Sequence, residues 1–231
     1  MPVSTDAVIL GAWSWLPFQG NILDLGCGTG VLSLMCAQRQ ENIRIHALDI
    51  AKSAIETCQD NVLQSPWAHR IDVIHQSVQD WQQQHIAQYD AIICNPPYFG
   101  HGLQAQKTDR ATARHDDQLS QTALLSSLRQ LLKPTAVASL ILPTYEAQQL
   151  IAQASEHQLY CIAQLAIHTT AKKPCQRIAF CLSPTPAVMH TASLTIHDGA
   201  GYDANFIALT RDFYLKFDSE GDTERSSTGH S

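Results

Sequence analysis

Apolar residues recur along this chain in two alternating patterns, as short continuous runs and as segments with helical spacing. The runs predict five strands, at residues 21–25, 43–48, 71–74, 89–94 and 136–142. The spaced segments predict helices at residues 31–37, 53–63, 119–132 and 143–157. Strands that alternate with helices are typical of a parallel sheet with helices on both faces. We therefore predict an α/β fold.

The last third of the chain departs from this alternation. Apolar runs at 160–169 and 177–183 have only the short segment Lys172-Lys173-Pro174 between their ends, with no room for a helix. They predict a hairpin, which places one antiparallel strand in the sheet. Residues 193–196 predict an edge strand, and residues 205–217 predict a closing helix.

Polar segments delimit the domain. Residues 1–217 fit one α/β domain, because a chain of 231 residues can bury one substantial core. Residues 218–231 are rich in Ser, Thr, Gly and charge, which predicts a disordered tail. Residues 100–117 are polar and without a pattern, which predicts a lid or a disordered loop.

A glycine-rich turn joins the first predicted strand to the first predicted helix. Its sequence from Asp24 is D-L-G-C-G-T-G, which contains Gly26, Gly28 and Gly30. Glycine permits positive φ and lets a ligand approach the backbone closely. Asp49 ends the second strand roughly 20 residues further on, where an acid typically accepts a hydrogen bond from a ribose hydroxyl. Together these residues predict a nucleoside-cofactor site, whereas the glycines alone could form a plain tight turn.

Two nucleoside cofactors compete for this turn. A dinucleotide site uses the pattern G-x-G-x-x-G and places a pyrophosphate at the helix N-terminus. Here Val31-Leu32-Ser33 occupies the place of the later glycine. S-adenosyl-L-methionine has no pyrophosphate but carries an ammonium and a sulfonium. The carboxylate of Asp24 suits these cations, which favours S-adenosyl-L-methionine over a dinucleotide.

The tetrapeptide Asn95-Pro96-Pro97-Tyr98 follows the fourth predicted strand. An exocyclic amine on an aromatic ring has a delocalised lone pair and is a poor nucleophile. The Asn95 side-chain oxygen and the Pro96 carbonyl can accept its two hydrogens, while Tyr98 stacks on the base. We predict that all four residues are catalytic, in methyl transfer to a planar nitrogen. The simpler alternative is a strand that ends at a double-proline turn.

The distribution of charge matters more than the net charge of −6. Residues 218–231 hold four acids and one arginine, and so account for half of that excess. Between Glu156 and Asp198 there is no acidic residue, and the window contains three of the cations, Lys172, Lys173 and Arg177. This strip predicts either contacts with RNA or an ordinary solvated loop.

Cysteine and histidine usage points away from disulfides and metals. The seven cysteines form no C-x-x-C pair, and Cys27, Cys36, Cys94 and Cys181 lie in apolar surroundings that suit reduced core thiols. The eleven histidines show no metal-binding spacing, so we predict no metal. Without a signal-peptide pattern or an apolar run long enough to span a membrane, the expected location is the cytoplasm.

Several segments together resemble the bacterial tRNA1(Val) (adenine(37)-N6)-methyltransferase family, within the class I S-adenosyl-L-methionine-dependent methyltransferases. They are residues 5–6, 10–13, 24–30, 61–67, 95–98, 113–115 and 212–215. The resemblance implies a Rossmann-like, seven-stranded, mostly parallel sheet with one antiparallel strand and helices on both faces. It also implies methylation of N6 of the adenosine just 3′ of the anticodon, adenine 37, in a valine tRNA.

The resemblance also extends the predicted site. Ser77 aligns where family members often carry an Asp that could bind the cofactor's adenine amine, and Asp80 lies three residues further on. Arg114, in a matched Ala-Arg-His segment, joins the lysine strip as a predicted tRNA contact. Family members usually carry an aromatic-rich segment before the Thr5-Asp6 pair, so we expect a shortened N-terminal segment here.

Two other functions stay open at this point. A glutamine side-chain amide is also planar and fits the same tetrapeptide, which makes a protein glutamine N5-methyltransferase one alternative. A non-catalytic RNA-binding module that retains the cofactor pocket is the other. We expect tRNA as the partner, no membrane association, and a monomer.

Overall fold

A computed structural model describes residues 4–96, 119–199 and 201–214 of the chain. The strands over these residues are β1 (Gln19–Leu25), β2 (Asn42–Asp49), β3 (Ile71–His75), β4 (Tyr89–Cys94), β5 (Leu132–Pro143), β6 (Tyr160–Thr170), β7 (Arg177–Ser183), β8 (His190–Asp198) and β9 (Gly201–Tyr202). They form one sheet in the order β3-β2-β1-β4-β5-β7-β6-β8-β9.

Helices cover both faces of this sheet. The described helices are α1 (Thr5–Trp13), α2 (Val31–Arg39), α3 (Lys52–Leu63), α4 (Val78–Trp81), α5 (Gln121–Leu131), α6 (Thr144–Ala154) and α7 (Ala204–Thr210). Buried side chains of α1, α2, α3 and α7 pack with one face of the strands, and those of α4, α5 and α6 pack with the other. The predicted α/β architecture, with a Rossmann-like, mostly parallel sheet, is therefore confirmed.

The predicted hairpin is confirmed, and the sheet is larger than expected. β7 runs antiparallel to both of its neighbours, β5 and β6. The edge strand predicted at 193–196 is β8, which pairs in parallel with β6 from Ala163 to Thr170 and is therefore longer than its apolar residues alone indicated. The two-residue strand β9 follows and runs antiparallel to β8, so the described sheet has two antiparallel strands, β7 and β9, where one was expected. The described sheet thus has nine strands, whereas the family resemblance implied seven.

Several helix boundaries differ from the prediction. Neither α1 nor the single turn of α4 was predicted. The closing helix was predicted over 205–217, but α7 ends at Thr210, where the chain tightens into a 3₁₀ turn over Arg211–Phe213. Within the described ranges, no helix is both long and apolar enough to cross a membrane. The predicted loop at 100–117 and the tail at 218–231 lie outside the described residues.

Candidate active site

The carboxyl ends of three neighbouring strands meet at one edge of the sheet. β1 pairs in parallel with both β2 and β4, and Asp24 near the end of β1 stands in register with Ile93 of β4. The glycine turn after β1, Asp49 at the end of β2, and Asn95 after β4 are consequently brought to the same edge. In open parallel sheets, this edge is where ligands bind.

Four backbone N–H groups of the glycine turn already donate hydrogen bonds within the protein. The N–H groups of Gly26 and Cys27 donate to the Leu48 carbonyl, at 2.8 Å and 3.0 Å, and the Gly30 N–H donates to the Cys27 carbonyl at 2.8 Å. The Gly28 N–H donates to Asp49 Oδ2 at 2.9 Å. These donors are therefore not available to hold a phosphate group.

The three glycines of the turn serve two purposes. Gly26 and Gly28 have φ of +73° and +54°, and a Cβ atom at either position would meet nothing within 4 Å. A ligand can therefore approach the backbone here. Gly30, with φ of +81°, is different, because a Cβ atom there would come within 2.6 Å of Cys58 Sγ on α3. Gly30 was predicted to bind cofactor, and the structure places it where the turn packs against a helix.

Asp24 is completely buried beneath the turn. Its Oδ2 accepts hydrogen bonds from the N–H of Ser33 at 3.0 Å and from the Ser33 hydroxyl at 2.7 Å. Its Oδ1 is buried and has no hydrogen-bond partner among the described residues. The pKa of Asp24 is raised to about 6, chiefly by burial and to a smaller extent by the negative charge of Asp49, while the Ser33 hydrogen bonds oppose the shift. Such a carboxylate is poised to accept a hydrogen bond from a cation.

Asp49 was predicted as a ribose acceptor, and it also organises the local backbone. Besides the Gly28 bond through Oδ2, its Oδ1 accepts from the Ala51 N–H at 2.8 Å. The next side chain, Ile50, is 55% exposed. An exposed isoleucine beside a half-buried acid provides an apolar surface for a ring. Sequence reasoning missed Ile50 and Ser33, although a serine in the first turn of an apolar helix was a visible signal.

Ser77 forms the N-cap of α4. Its hydroxyl accepts from the Asp80 N–H at 3.1 Å and donates to Asp80 Oδ2 at 2.7 Å. Both residues follow β3, whose end lies beside that of β2. Ser77 thereby orients the exposed carboxylate of Asp80, which stays available at the strand ends.

The predicted catalytic tetrapeptide is described only in its first half. Asn95 is half-buried and Pro96 is buried. Asn95 lies just beyond Cys94, whose thiol has a raised pKa because it is buried and because the negative charges of Asp24 and Asp49 are close. Pro97 and Tyr98 lie outside the described residues. At this edge of the sheet, the polar amide of Asn95 therefore lies near the negative charges of Asp24 and Asp49.

The predicted tRNA contacts lie at different places. Lys172 and Lys173 are exposed in the turn between β6 and β7. Arg177 is half-buried, and its Nε donates to Asp6 Oδ2 at 2.9 Å, which ties β7 to the start of α1. Arg114 lies outside the described residues. In the part of the chain that is described, no cluster of three His, Cys, Asp or Glu residues could hold a metal ion.

The predicted core thiols are confirmed as free and buried. Cys27, Cys36, Cys94 and Cys181 all lie in the interior. Burial raises the pKa of the Cys36 thiol to about 12 and that of the Cys181 thiol to about 11, so both stay protonated at neutral pH. Their role is therefore packing.

Comparison with known proteins adds to this geometry. Residues 10–123 match the family model described as the methyltransferase small domain. A protein of Aliivibrio salmonicida named tRNA1(Val) (adenine(37)-N6)-methyltransferase is 46% identical over 215 residues, covering 93% of this chain and 91% of its own. A protein of the same name from Vibrio cholerae is 46% identical over 216 residues, covering 94% and 89%.

A solved structure supports the fold. The crystal structure of a predicted O-methyltransferase from Agrobacterium tumefaciens matches with a TM-score of 0.71 at 17% identity. The match covers 90% of this chain and 96% of that one. At this identity the likeness shows a shared methyltransferase fold.

Proposed function

The chain belongs to the tRNA1(Val) (adenine(37)-N6)-methyltransferase family, and from this membership we propose that it methylates N6 of an adenosine in tRNA, namely adenine 37 of tRNA1(Val). The methyl donor is S-adenosyl-L-methionine. The observation that carries the proposal is the meeting of three features at one edge of the sheet. These are the unpartnered oxygen of buried Asp24, the open backbone of Gly26 and Gly28, and Asn95.

The residues of the site fit S-adenosyl-L-methionine better than a dinucleotide. A dinucleotide needs free N–H groups for its pyrophosphate, but those of Gly26, Cys27, Gly28 and Gly30 already donate to Leu48, Asp49 and Cys27. The Ser33 N–H at the start of α2 donates to a carboxylate. An anion would also meet the charges of Asp24 and Asp49. A ligand that carries an ammonium and a sulfonium is attracted by them.

Each cofactor-binding residue has a separate part. Asp24 Oδ1 would accept from the ammonium group, and the backbone at Gly26 and Gly28 would lie against the cofactor. Asp49 would accept from the ribose hydroxyls with lone pairs that the Gly28 and Ala51 bonds leave free. Asp80, oriented by Ser77, would accept from the adenine amine, and Ile50 would pack on the adenine ring. When bound, the cofactor supplies an electrophilic methyl group.

Asn95 and Pro96 act on the target amine. The Asn95 side-chain oxygen and the Pro96 carbonyl accept its two hydrogens, which localises the nitrogen lone pair for attack. Tyr98, which with Pro97 completes the predicted catalytic tetrapeptide, would stack on the flipped base. The two hydrogen bonds to Asn95 and Pro96 strengthen as the nitrogen becomes pyramidal, so they stabilise the transition state more than the bound substrate.

Nucleoside analysis tests the proposed function directly. The purified protein would be incubated with labelled S-adenosyl-L-methionine and total tRNA from a strain that lacks the gene. Digestion to nucleosides should give labelled N6-methyladenosine, which sequencing of tRNA1(Val) places at adenine 37. Label found instead in glutamine of a protein fraction would favour the glutamine alternative. Cofactor binding without any methylated product would favour the non-catalytic module.

The lysine turn should contribute to tRNA affinity through phosphate contacts. Replacing Lys172 and Lys173 with alanine should weaken tRNA binding and flatten the plot of log affinity against log salt by about 0.7–0.9 for each lost contact. Arg177 is left in place, because its removal would break the ion pair with Asp6. Fluorescence anisotropy across a salt series measures the slope.

Arg44→Ala is the control for the lysine variant, because Arg44 is an exposed cation on β2, in the other half of the sheet. It should leave the slope as in the wild type. Cofactor affinity should be unchanged in both variants. An unaltered slope after both lysines are removed would leave the turn an ordinary solvated loop.

Asp49→Ala should weaken cofactor binding by about tenfold or more, since a charge-assisted hydrogen bond contributes roughly 1.5–3 kcal/mol. The same change releases the Gly28 and Ala51 N–H groups, so their amide hydrogens should exchange faster. Calorimetry measures the affinity. Asp60→Ala, an exposed acid on α3, is the control. Wild-type affinity in Asp49→Ala would remove Asp49 from the cofactor site.

A further inference from the structure

Tyr145 is an exposed aromatic residue at the catalytic edge of the sheet. Its side chain is 63% exposed, in the first turn of α6, which begins where β5 ends. β5 is the parallel neighbour of β4, the strand that leads into Asn95. Because adjacent parallel strands end at the same edge, Tyr145 lies on the element next to the proposed position of the target amine.

The backbone beneath Tyr145 is anchored. The Thr144 N–H donates to the Gln176 carbonyl at 3.2 Å, and the Thr144 hydroxyl donates to the Cys175 carbonyl at 2.9 Å. These bonds tie the start of α6 to the turn between β6 and β7. Ala147, two residues beyond Tyr145, is completely buried. The ring is thus carried on fixed backbone with only two rotatable side-chain bonds, so little entropy is lost when a partner stacks on it.

The same turn supplies positive charge. Lys172 and Lys173 are exposed in it, a few residues before the two carbonyls that hold Thr144. The sequence between Glu156 and Asp198 contains no acidic residue. An aromatic ring beside exposed cations is the combination that binds unpaired nucleotides, with the base on the ring and the phosphate at the cations. Single exposed aromatic residues are common on protein surfaces, and the nearby cations distinguish Tyr145 from them.

On the basis of the proposed tRNA substrate, we propose that Tyr145 stacks on a nucleobase adjacent to the target adenosine, while the Lys172-Lys173 turn contacts the backbone phosphate. Extruding the target base removes the stacking partner of its neighbours. A fixed aromatic ring at the edge of the site replaces that partner. Tyr145 therefore positions the RNA and takes no part in the chemistry.

The test uses RNA hairpins that carry the target adenosine and 2-aminopurine in place of the nucleotide on its 5′ or 3′ side. Stacking on Tyr145 should change the 2-aminopurine fluorescence on binding at one of these positions. Tyr145→Ala should abolish that change and raise both Kd and KM for the RNA about tenfold, within the range for one base stack. Its kcat at saturating RNA should stay close to that of the wild type. Tyr145→Phe should behave as the wild type, because the ring is kept.

Tyr160→Ala is the matched control, since Tyr160 is 39% exposed at the start of β6, at the opposite edge of the sheet. It should leave the fluorescence change and RNA affinity intact. The proposal would be overturned if Tyr145→Ala kept the fluorescence change and RNA affinity of the wild type, or if Tyr145→Phe lost as much of them as Tyr145→Ala. Neither result would affect the proposed function, which rests on methylation by the wild type. Absence of N6-methyladenosine with the wild-type protein would instead overturn the proposed function.

Discussion

Replacing Asn95 with alanine should lower kcat by a factor on the order of 10²–10³, the usual loss when one preorganised hydrogen bond to a transition state is removed. The affinities for cofactor and tRNA should change little. The reason is that the Asn95 oxygen binds the amine hydrogen most strongly as the nitrogen becomes pyramidal. In the ground state the amine is planar, so the bond contributes less to binding than to the rate.

The surroundings of Asn95 favour this outcome. The residue is half-buried directly after β4, and its side chain makes no hydrogen bond to another described residue. The strand before it is buried except at the half-buried Asp90, and it is held between β1 and β5. The alanine variant should therefore fold normally, and the loss should report on chemistry.

Single-turnover kinetics with saturating cofactor and tRNA measure the methylation step directly. Asn42→Ala is the control, because Asn42 is exposed at the start of β2, at the opposite end of the sheet. It should react at the wild-type rate. A near-wild-type rate in folded Asn95→Ala would mean that Asn95 only terminates a strand, and the proposed action of the tetrapeptide would be wrong.

The elements predicted correctly show one of two clear patterns. Their apolar residues either recur along one buried face or form a short continuous run that is buried as a strand. β4 is a continuous apolar run and is buried almost throughout, as expected. α1 escaped prediction because five consecutive residues, from Ala7 to Gly11, are buried, which erases the helical period. β9 has only two residues, too few for any pattern.

The site residues also fall into those that the sequence could locate and those that it could not. The glycine turn and Asp49 could be located from sequence, because a strand, a turn and a helix follow one another there. The partners of those residues could not. Asp24 bonds to Ser33 only because α2 folds back over β1. Arg177 pairs with Asp6 across a separation of 171 residues, which no local pattern records.

Replacing Asp24 with asparagine should weaken S-adenosyl-L-methionine binding on the order of 10²-fold and yet stabilise the cofactor-free protein at pH 8. Removing one partner of a buried charge pair typically costs about 2–5 kcal/mol of binding free energy. The amide oxygen of asparagine can still accept both Ser33 hydrogen bonds. The amide nitrogen then takes the place of Oδ1, an atom that has no partner among the described residues in the cofactor-free protein.

The pH dependence follows from the direction of the pKa shift. Burial raises the pKa of Asp24 from 3.8 to about 6 in the folded protein. The folded state therefore binds the proton more tightly than the unfolded state does, and the charged form destabilises the fold above pH 6. A shift of about two units corresponds to roughly 3 kcal/mol of unfolding free energy. The stabilisation that comes from the proton on Asp24 is fully present below pH 4 and is lost as the pH rises through 6.

Cofactor binding should have the opposite dependence, because the ammonium requires the ionised carboxylate. As the pH falls below about 6, wild-type affinity should decrease by up to a factor of ten per pH unit, while Asp24→Asn should show no such decline. Calorimetric titrations and denaturant unfolding of the cofactor-free protein from pH 4 to pH 8 measure the two trends. Asp60→Asn, at an exposed acid, should follow the wild type in both. Equal affinities of Asp24→Asn and wild type at pH 8 would mean that the buried oxygen faces no cation, and the assignment of Asp24 to the cofactor's amino group would be wrong.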